Sequence, residues 1–337
     1  MSKSSLKVVI PMAGLGTRLR PHTWSKPKQL VSVAGKTVLD YILETLSTLS
    51  QSQSFEIINI VGYLGDQIEE YMRGKYPNLE THFVVQDNPR GQSHAIQLAR
   101  QHLHGPMLVV FADTLINTDL SFLASTTSEA VVWVKPVPDP RRFGVAEIGP
   151  DKRVVRLIEK PKEVTNNLAV VGFYYFQRAE DLLFAIDEQI RRDLQLNGEF
   201  FLADAVNIML EKGLKMDVQP VEEWLDAGTP ETLLESNRYL LQHGRDNSQQ
   251  AAQRPGIVII PPVFVHPSAL VEDSIIGPYV SLGAGCQVRT SIIQNSILED
   301  EAQATGVILE SSLVGRRAEI RRRAGVVNAG DNTVVIL

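Results

Sequence analysis

The stretch Pro11-Met12-Ala13-Gly14-Leu15-Gly16-Thr17-Arg18-Leu19-Arg20-Pro21, followed a few residues on by Lys26-Pro27-Lys28-Gln29-Leu30, organises the reading of the whole chain. The apolar run from Leu6 to Ile10 in front of it reads as a buried strand. Gly14 and Gly16, two positions apart, let the backbone turn sharply after that strand and bring the N–H groups from Ala13 onward against an anion. Thr17 adds a hydroxyl donor and Arg18 a planar fork suited to phosphate oxygens, while Lys28, held by the stiff Pro27, adds a compact point charge. Together they predict a triphosphate site. Two commoner glycine loops are excluded: a dinucleotide fingerprint needs glycine at position 19, which is leucine, and the Gly-Lys-Ser/Thr of a Walker loop is absent. An ordinary strand-to-helix turn with incidental basic residues would carry the same Gly-x-Gly pair.

Outward from the loop, to about residue 240, short apolar runs alternate with helix-like segments at 38–49, 67–72 and 93–102. That alternation predicts a Rossmann-like α/β domain with a mixed, mostly parallel sheet and helices on both faces. Ligands in such sheets sit beyond the carboxyl ends of the strands, so the next strand-end loops should line the same crevice. After the run ending at Val85 comes Gln86-Asp-Asn-Pro-Arg-Gly91. A glutamine amide offers a donor and an acceptor side by side, matching N3–H and O4 of uracil or thymine, and Gly91 would let a base approach the backbone. A surface glutamine before a helix would look the same. His94 reads as a helix residue packing near the site. Asp113 follows the buried-strand pattern Met107 to Phe111, where a carboxylate can hold Mg²⁺ against phosphates; a helix-capping aspartate is the alternative. Further strands are expected at 130–137, 143–148, 154–158 and 215–221, the first three as a smaller antiparallel region, with helices at 179–191 and 202–212.

The string Gly14-Leu-Gly-Thr-Arg18-Leu-Arg-Pro21 with Pro27-Lys28 resembles the signature of the sugar-phosphate nucleotidyltransferases, which join a nucleoside triphosphate to a sugar 1-phosphate and release pyrophosphate. Phe143-Gly144-Val145, Glu159-Lys160-Pro161, Val171-Gly172-Phe173 and Trp224-Leu-Asp226-Ala-Gly228-Thr229-Pro230 extend the match. Within the family the chain resembles the glucose-1-phosphate thymidylyltransferases of the long form, which end in a left-handed β-helix. The resemblance implies that Ala13, Gly14, Gly16, Thr17 and Arg18 grip the nucleotide, with Gln86 and Gly91 at a pyrimidine base. It implies that Arg18 and Lys28 carry catalysis with Asp113 and Asp226, which would share one Mg²⁺. Glu159 would accept from sugar hydroxyls, Lys160 would pair with the sugar phosphate, and Gly144 and Gly172 would offer backbone contacts. One departure is Ala112, where the family has glycine before the aspartate.

The chain has 337 residues, 44% hydrophobic and 21% charged, with a net charge of −6, which suits globular domains and argues against a general nucleic-acid binder. No apolar run approaches a membrane span and Met1 to Ser5 lacks a signal-peptide core, so a cytoplasmic protein is expected. Cys286 is the single cysteine and excludes an intramolecular disulfide.

The chain is expected to divide into a domain at 1–241, which the resemblance marks as the nucleotidyltransferase part, a Gln-, Asn-, Ser- and Pro-rich linker at 242–262, and a parallel β-helix at 263–337. In the last, apolar residues recur at Val265, Val271, Ile276, Leu282, Val288, Ile293, Leu298, Ala304, Leu309, Val314 and Ile320, in steps of five or six, three steps to a coil. Cys286 falls at an inward corner. Arg316-Arg317 and Arg321-Arg322-Arg323 read as a solvated edge, with an anionic effector site as the alternative. The flat faces and open end of such a solenoid predict a homo-oligomer. Solenoids of this kind also host acyltransferases, but no long histidine-bearing loop interrupts the repeats. A noncatalytic sugar-nucleotide-binding subunit, and the UDP-sugar, ADP-glucose and GDP-mannose pyrophosphorylases, complete the competing readings; Arg18, Lys28, Asp113, Lys160 and Asp226 together favour catalysis.

Overall fold

A computed structural model describes residues 5–49, 53–164 and 166–322. The chain divides into two compact units, Met1–Val31 with Lys36–Leu233, and Ser32–Gly35 with Leu234–Leu337. In chain order the first part runs β1 (Leu6–Pro11), β2 (Ser32–Val33, in the second unit), β3 (Lys36–Thr37), α1 (Val38–Leu46), β4 (Phe55–Val61), α2 (Gly65–Lys75), β5 (Thr81–Val85), α3 (Gln92–Leu98), β6 (Met107–Val110) and β7 (Thr114–Ile116). It continues with β8 (Ala130–Pro136), β9 (Gly144–Ile148), β10 (Val154–Glu159), β11 (Leu168–Phe176), α4 (Ala179–Arg191), α5 (Leu202–Glu211), β12 (Met216–Pro220), β13 (Trp224–Asp226) and α6 (Pro230–Leu240).

Parallel strands covered on both faces need near-continuous apolar runs, and β1 and β6 supply them: Leu6 to Ile10 and Met107 to Val110 are all fully buried. Four strands pair in parallel in the order β5-β4-β1-β6. From β1 the chain moves outward through β4 and β5, then returns to place β6 on the other side of β1. The order therefore reverses between β1 and β6, where a crevice opens at the carboxyl ends of an open sheet. Helix α1 is anchored at its start by a capping box, Thr37 and Asp40 each bonding the other's backbone N–H. The carboxylate of Asp40, though buried, accepts from Tyr71, Tyr76 and Lys75, which together outweigh burial and hold it below the usual range.

The segments expected as a separate antiparallel region belong to the same sheet. Strand β11 joins them: Phe173–Phe176 runs antiparallel to β6, its length pairs with β8, and Ala169 faces Val145 of β9. To serve partners on both sides β11 shifts register between Val170 and Tyr174, and Gly172 sits in that shift with φ 89°. Strand β12 adds to β8 in parallel, while β13 and β7 form a separate antiparallel pair that sets Asp226 opposite Thr114. The segment 93–102 is not one helix: α3 ends at Leu98 and a 3₁₀ turn, Arg100–His102, follows.

In the second unit three four-stranded parallel sheets stack coil on coil, as a β-helix of hexapeptide-type repeats requires. The register repeats the expected spacing: Val265 over Leu282, Leu298 and Val314; Val271 over Val288, Ala304 and Ile320; Ile276 over Ile293 and Leu309. All of these are buried in one core or packed against it. Cys286 lies in that core, where its thiol donates to the Glu299 carbonyl at 2.9 Å and burial pushes its pKa up to about 11. Corners are turned by residues with left-handed backbone, such as Asp273 and Thr290 (φ 45° and 48°), Asn295 and Ser311 (41° and 49°), and Glu301 and Arg317 (59° and 60°). The stretch 242–262 carries elements of its own: a helical turn at Leu241–Arg245, α7 (Ser248–Ala251), and the strand Ile257–Ile259, which pairs with Ser274–Ile276 as the first strand of its sheet. Arg323 and residues 324–337 lie outside the described residues. Among the described residues no helix is long and apolar enough to cross a membrane.

Candidate functional site

Where the strand order reverses, a cavity of about 300 Å³ opens. It is lined by Ala13 and Gly14 after β1, Lys28, Gln86 and Gly91 after β5, and Asp113 after β6, with Phe111 and Glu199. Six of the residues singled out in the sequence thus meet in one place. Lys28 reaches across it to Asp113, Nζ to Oδ2 at 2.6 Å. Burial alone would raise the Asp113 pKa; the Lys28 ammonium, with Arg18 behind it, outweighs burial and holds the carboxyl below its usual range.

The rest of the glycine loop is shaped by its own constraints. Gly16 takes φ 62° and starts a 3₁₀ turn, Thr17–Leu19, and its carbonyl accepts from the Thr23 hydroxyl at 2.8 Å. A side chain at Gly16 would press on Thr23 and Lys28 at 3.1–3.3 Å, whereas Gly14 has open space around it. Thr17 and Arg18 are exposed. The Arg18 guanidinium lies against the Asp226-Ala-Gly228 turn: a Cβ on Gly228 would come within 3.1 Å of Arg18 Nη2 and 2.8 Å of Asp226 Oδ1. Asp226 accepts from the Gly228 N–H at 2.8 Å, and the Ala227 N–H donates to the Asp113 carbonyl at 3.1 Å. The two aspartates, 113 residues apart, therefore stand on neighbouring backbone. Burial and then the Asp113 charge raise the Asp226 pKa, against the pull of the Gly228 N–H and Arg18.

Gln86 is almost fully buried, with its side-chain nitrogen 2.9 Å from His94 Nδ1 and 3.4 Å from the Gly91 carbonyl. The amide's donor half is engaged inside the protein. Gly91 has a structural reason to be glycine: φ is 95°, and a Cβ there would meet the Phe200 backbone at 2.5–2.6 Å. Its exposed side still lines the cavity.

Gly144, Glu159, Lys160 and Gly172 lie outside the lining of that cavity. Glu159 pairs with Gly144 across β10 and β9. Burial, with Asp204 and Glu199 near, raises the Glu159 pKa to about 7 although Lys160 opposes it. Lys160 takes φ 47° and sets its ammonium 4.5 Å from the Phe201 ring centre. Gly172 packs on Phe111, where a Cβ would come within 2.8 Å of the ring; its carbonyl accepts from the Phe111 N–H at 2.9 Å. Phe111 lines the cavity and touches Gly172, and Glu199, also in the lining, is near enough to act on Glu159, so both adjoin the cavity.

Sequence reading missed Glu199, Phe111 and Asp204. Glu199 follows a tight turn with left-handed Asn197 and Gly198 (φ 54° and 81°), and that Asn-Gly pair was the available signal. Among the described residues Glu56, Glu80 and His82 are spaced to hold a metal ion, but Glu56 is already paired with Lys7 and His82.

A glycine loop, a lysine and two carboxylates gathered at the reversal point of a mixed α/β sheet are what nucleotidyl transfer from a triphosphate requires. The nucleotidyl transferase family model matches residues 7–243, and the chain belongs to that family. Relatives that span nearly all of it include two of different names. One is the glucose-1-phosphate thymidylyltransferase of Streptomyces antibioticus, 30% identical over 96% of both chains. The other is the low-salt glycan biosynthesis nucleotidyltransferase Agl11 of Haloferax volcanii, 31% identical over 98% of both. A solved UDP-glucose pyrophosphorylase bound to UDP-glucose superposes with a TM-score of 0.63 at 21% identity, over 71% of this chain and all of its own, a likeness of fold. The chain is a nucleotidyltransferase of the sugar-phosphate branch.

Proposed function

We propose that this enzyme transfers a thymidylyl or uridylyl group from dTTP or UTP to a hexose 1-phosphate, glucose 1-phosphate foremost, and releases pyrophosphate. The observation that carries the proposal is the single cavity lined by the glycine loop, Lys28, Asp113 and Gln86. That lining suits a nucleotide with phosphates at the loop and base at Gln86, and the likeness to the thymidylyltransferase of Streptomyces antibioticus adds support for thymidine.

The nucleophile is the sugar phosphate itself, largely dianionic at neutral pH because its second pKa is near about 6. Its oxygen forms the new bond to the α-phosphorus as the bond to pyrophosphate breaks, so no protein nucleophile is needed. Lys28 and Arg18 supply fixed positive charge as the negative charge shifts onto the leaving group. Gly144, Glu159, Lys160 and Gly172 hold the sugar 1-phosphate in line with the α-phosphorus. Asp113 and Asp226 fit Mg²⁺: hard oxygen donors on neighbouring backbone, close enough that one raises the other's pKa. When bound between them the ion would neutralise phosphate charge.

The protein assembles as a homo-oligomer through its β-helix. One outward column of that solenoid stacks Val258, Ile275, Ile292 and Ile308, with Val258 and Ile308 exposed by 55% and 72%. A flat sheet repeating one aliphatic side chain per coil presents the same surface to a second copy turned about a two-fold axis.

The test is pyrophosphate release across a grid of dTTP, UTP, CTP, ATP and GTP with glucose, galactose, mannose and N-acetylglucosamine 1-phosphates. Turnover highest with dTTP or UTP and glucose 1-phosphate is expected; preference for a purine triphosphate would overturn the reading.

A further inference from the structure

We infer that His94 is a positioning residue that fixes the orientation of the Gln86 amide, so that the pocket reads its base through the Gln86 carbonyl oxygen and selects uracil or thymine over cytosine. The inference rests on the function proposed above and deepens it.

An amide nitrogen carries two hydrogens. On Gln86 both are directed inside the protein, one to His94 Nδ1 at 2.9 Å and the other toward the Gly91 carbonyl at 3.4 Å, while the Gln86 backbone N–H is held by the Val61 carbonyl at 2.8 Å. Gln86 lines the cavity, so Oε1 is the side-chain atom left to meet a ligand. An oxygen acceptor there pairs with the ring N3–H of uracil or thymine. Cytosine presents a lone pair at N3, and acceptor would face acceptor.

With the ring hydrogen on Nε2, the same histidine opposes turning the amide over to suit cytosine. Oε1 would then face the lone pair of Nδ1 and the Gly91 carbonyl, leaving buried acceptors without a donor. His94 acts this way only with a neutral ring that carries its hydrogen on Nε2. Burial, and after it the charge of Arg90, lower the His94 pKa and favour the neutral ring at neutral pH. The ring is held in place by α3, whose start is tied to the chain near Phe200: the Ser93 N–H donates to the Phe200 carbonyl at 3.1 Å, and the Phe200 N–H to the Arg90 carbonyl at 2.8 Å.

The test compares kcat/KM for UTP, dTTP and CTP at saturating glucose 1-phosphate in the full-length enzyme, His94→Leu and His94→Asn. A site built to hydrogen-bond one edge discriminates on the order of 10²-fold or more, so the wild type should favour UTP and dTTP over CTP by that margin. His94→Leu frees the amide to turn, and the UTP to CTP ratio should fall by about tenfold or more, chiefly through a higher KM for UTP. His94→Asn places Oδ1 near the position of Nδ1 and should restore most of the ratio. An unchanged ratio in His94→Leu, or equal ratios in the two variants, overturns the inference while leaving the nucleotidyltransferase reading intact. Absence of turnover by the wild type with every triphosphate and hexose 1-phosphate would overturn the proposed function itself.

Discussion

Glu159→Gln keeps the size of the side chain and removes its titration, and its effect on stability can be worked from the site. In the folded chain, burial and the nearby Asp204 and Glu199 carboxylates raise the Glu159 pKa from an ordinary 4.5 to about 7, against Lys160. The folded protein therefore binds this proton more tightly than the unfolded chain does. The stabilisation is fully present below pH 4.5 and is lost as pH rises through 7. At about 1.4 kcal/mol per pH unit the gap sets an upper limit of about 3 kcal/mol. Water reaching this part-exposed group brings the expected loss to about 1–2 kcal/mol. Glutamine has no such term. Urea midpoints of wild type and variant, measured from about pH 4 to about pH 8.5, should diverge in favour of the variant as pH rises, most steeply between about pH 5 and about pH 7. Midpoint curves that stay parallel over the whole range would refute the reasoning, because they would mean that Glu159 titrates alike folded and unfolded.

Asp113→Asn and Asp226→Asn should each reduce Mg²⁺-dependent turnover by about 10³ or more with urea midpoints near wild type, since each removes a hard oxygen donor; wild-type rates in either would remove that carboxylate from the site. Lys28→Ala should lower kcat by about 10²-fold with a smaller change in KM for the sugar phosphate, and Lys160→Ala should do the reverse. Identical kinetic profiles would show that the two lysines do not divide the work. Ile292→Asp with Ile308→Asp should leave turnover per chain unchanged and reduce the mass seen by light scattering to that of a smaller assembly, because the charges face solvent in a single copy and would be desolvated at an interface; an unchanged mass would exclude this face.

The legible part of the fold lay where one residue pattern has one structural outlet. Leu6 to Ile10 is apolar save for Lys7 and forms a strand covered on both faces, and the steps of five or six between Val265 and Ile320 permit little besides the stacked coils observed. Local chain chemistry also placed α4, which spans Ala179–Arg191, with Glu180 and Asp181 in its first turn and Arg191 in its last. What stayed hidden depended on tertiary partners. The Ile257–Ile259 strand lies in a short apolar run between Pro255-Gly256 and Pro261-Pro262, and its pairing with Ser274–Ile276 of the next coil makes it a strand. Gly91 looked like an opening for a ligand, but the Phe200 backbone, more than a hundred residues away, already demands glycine there. The antiparallel strands looked separate because nothing in the sequence of β11 announces that one strand serves β6 on one side and β8 on the other.

The pairing of Thr114 with Asp226 also bears on the order in which the protein is made. Every residue lining the cavity precedes Asp226 in the chain, the last of them being Glu199, and the second carboxylate comes 27 positions later and reaches its place when β13 pairs with β7. Closure of that two-stranded ribbon is thus the step of folding that brings the second carboxylate beside the first, and a mutation that weakens the ribbon would leave the cavity with one aspartate in place.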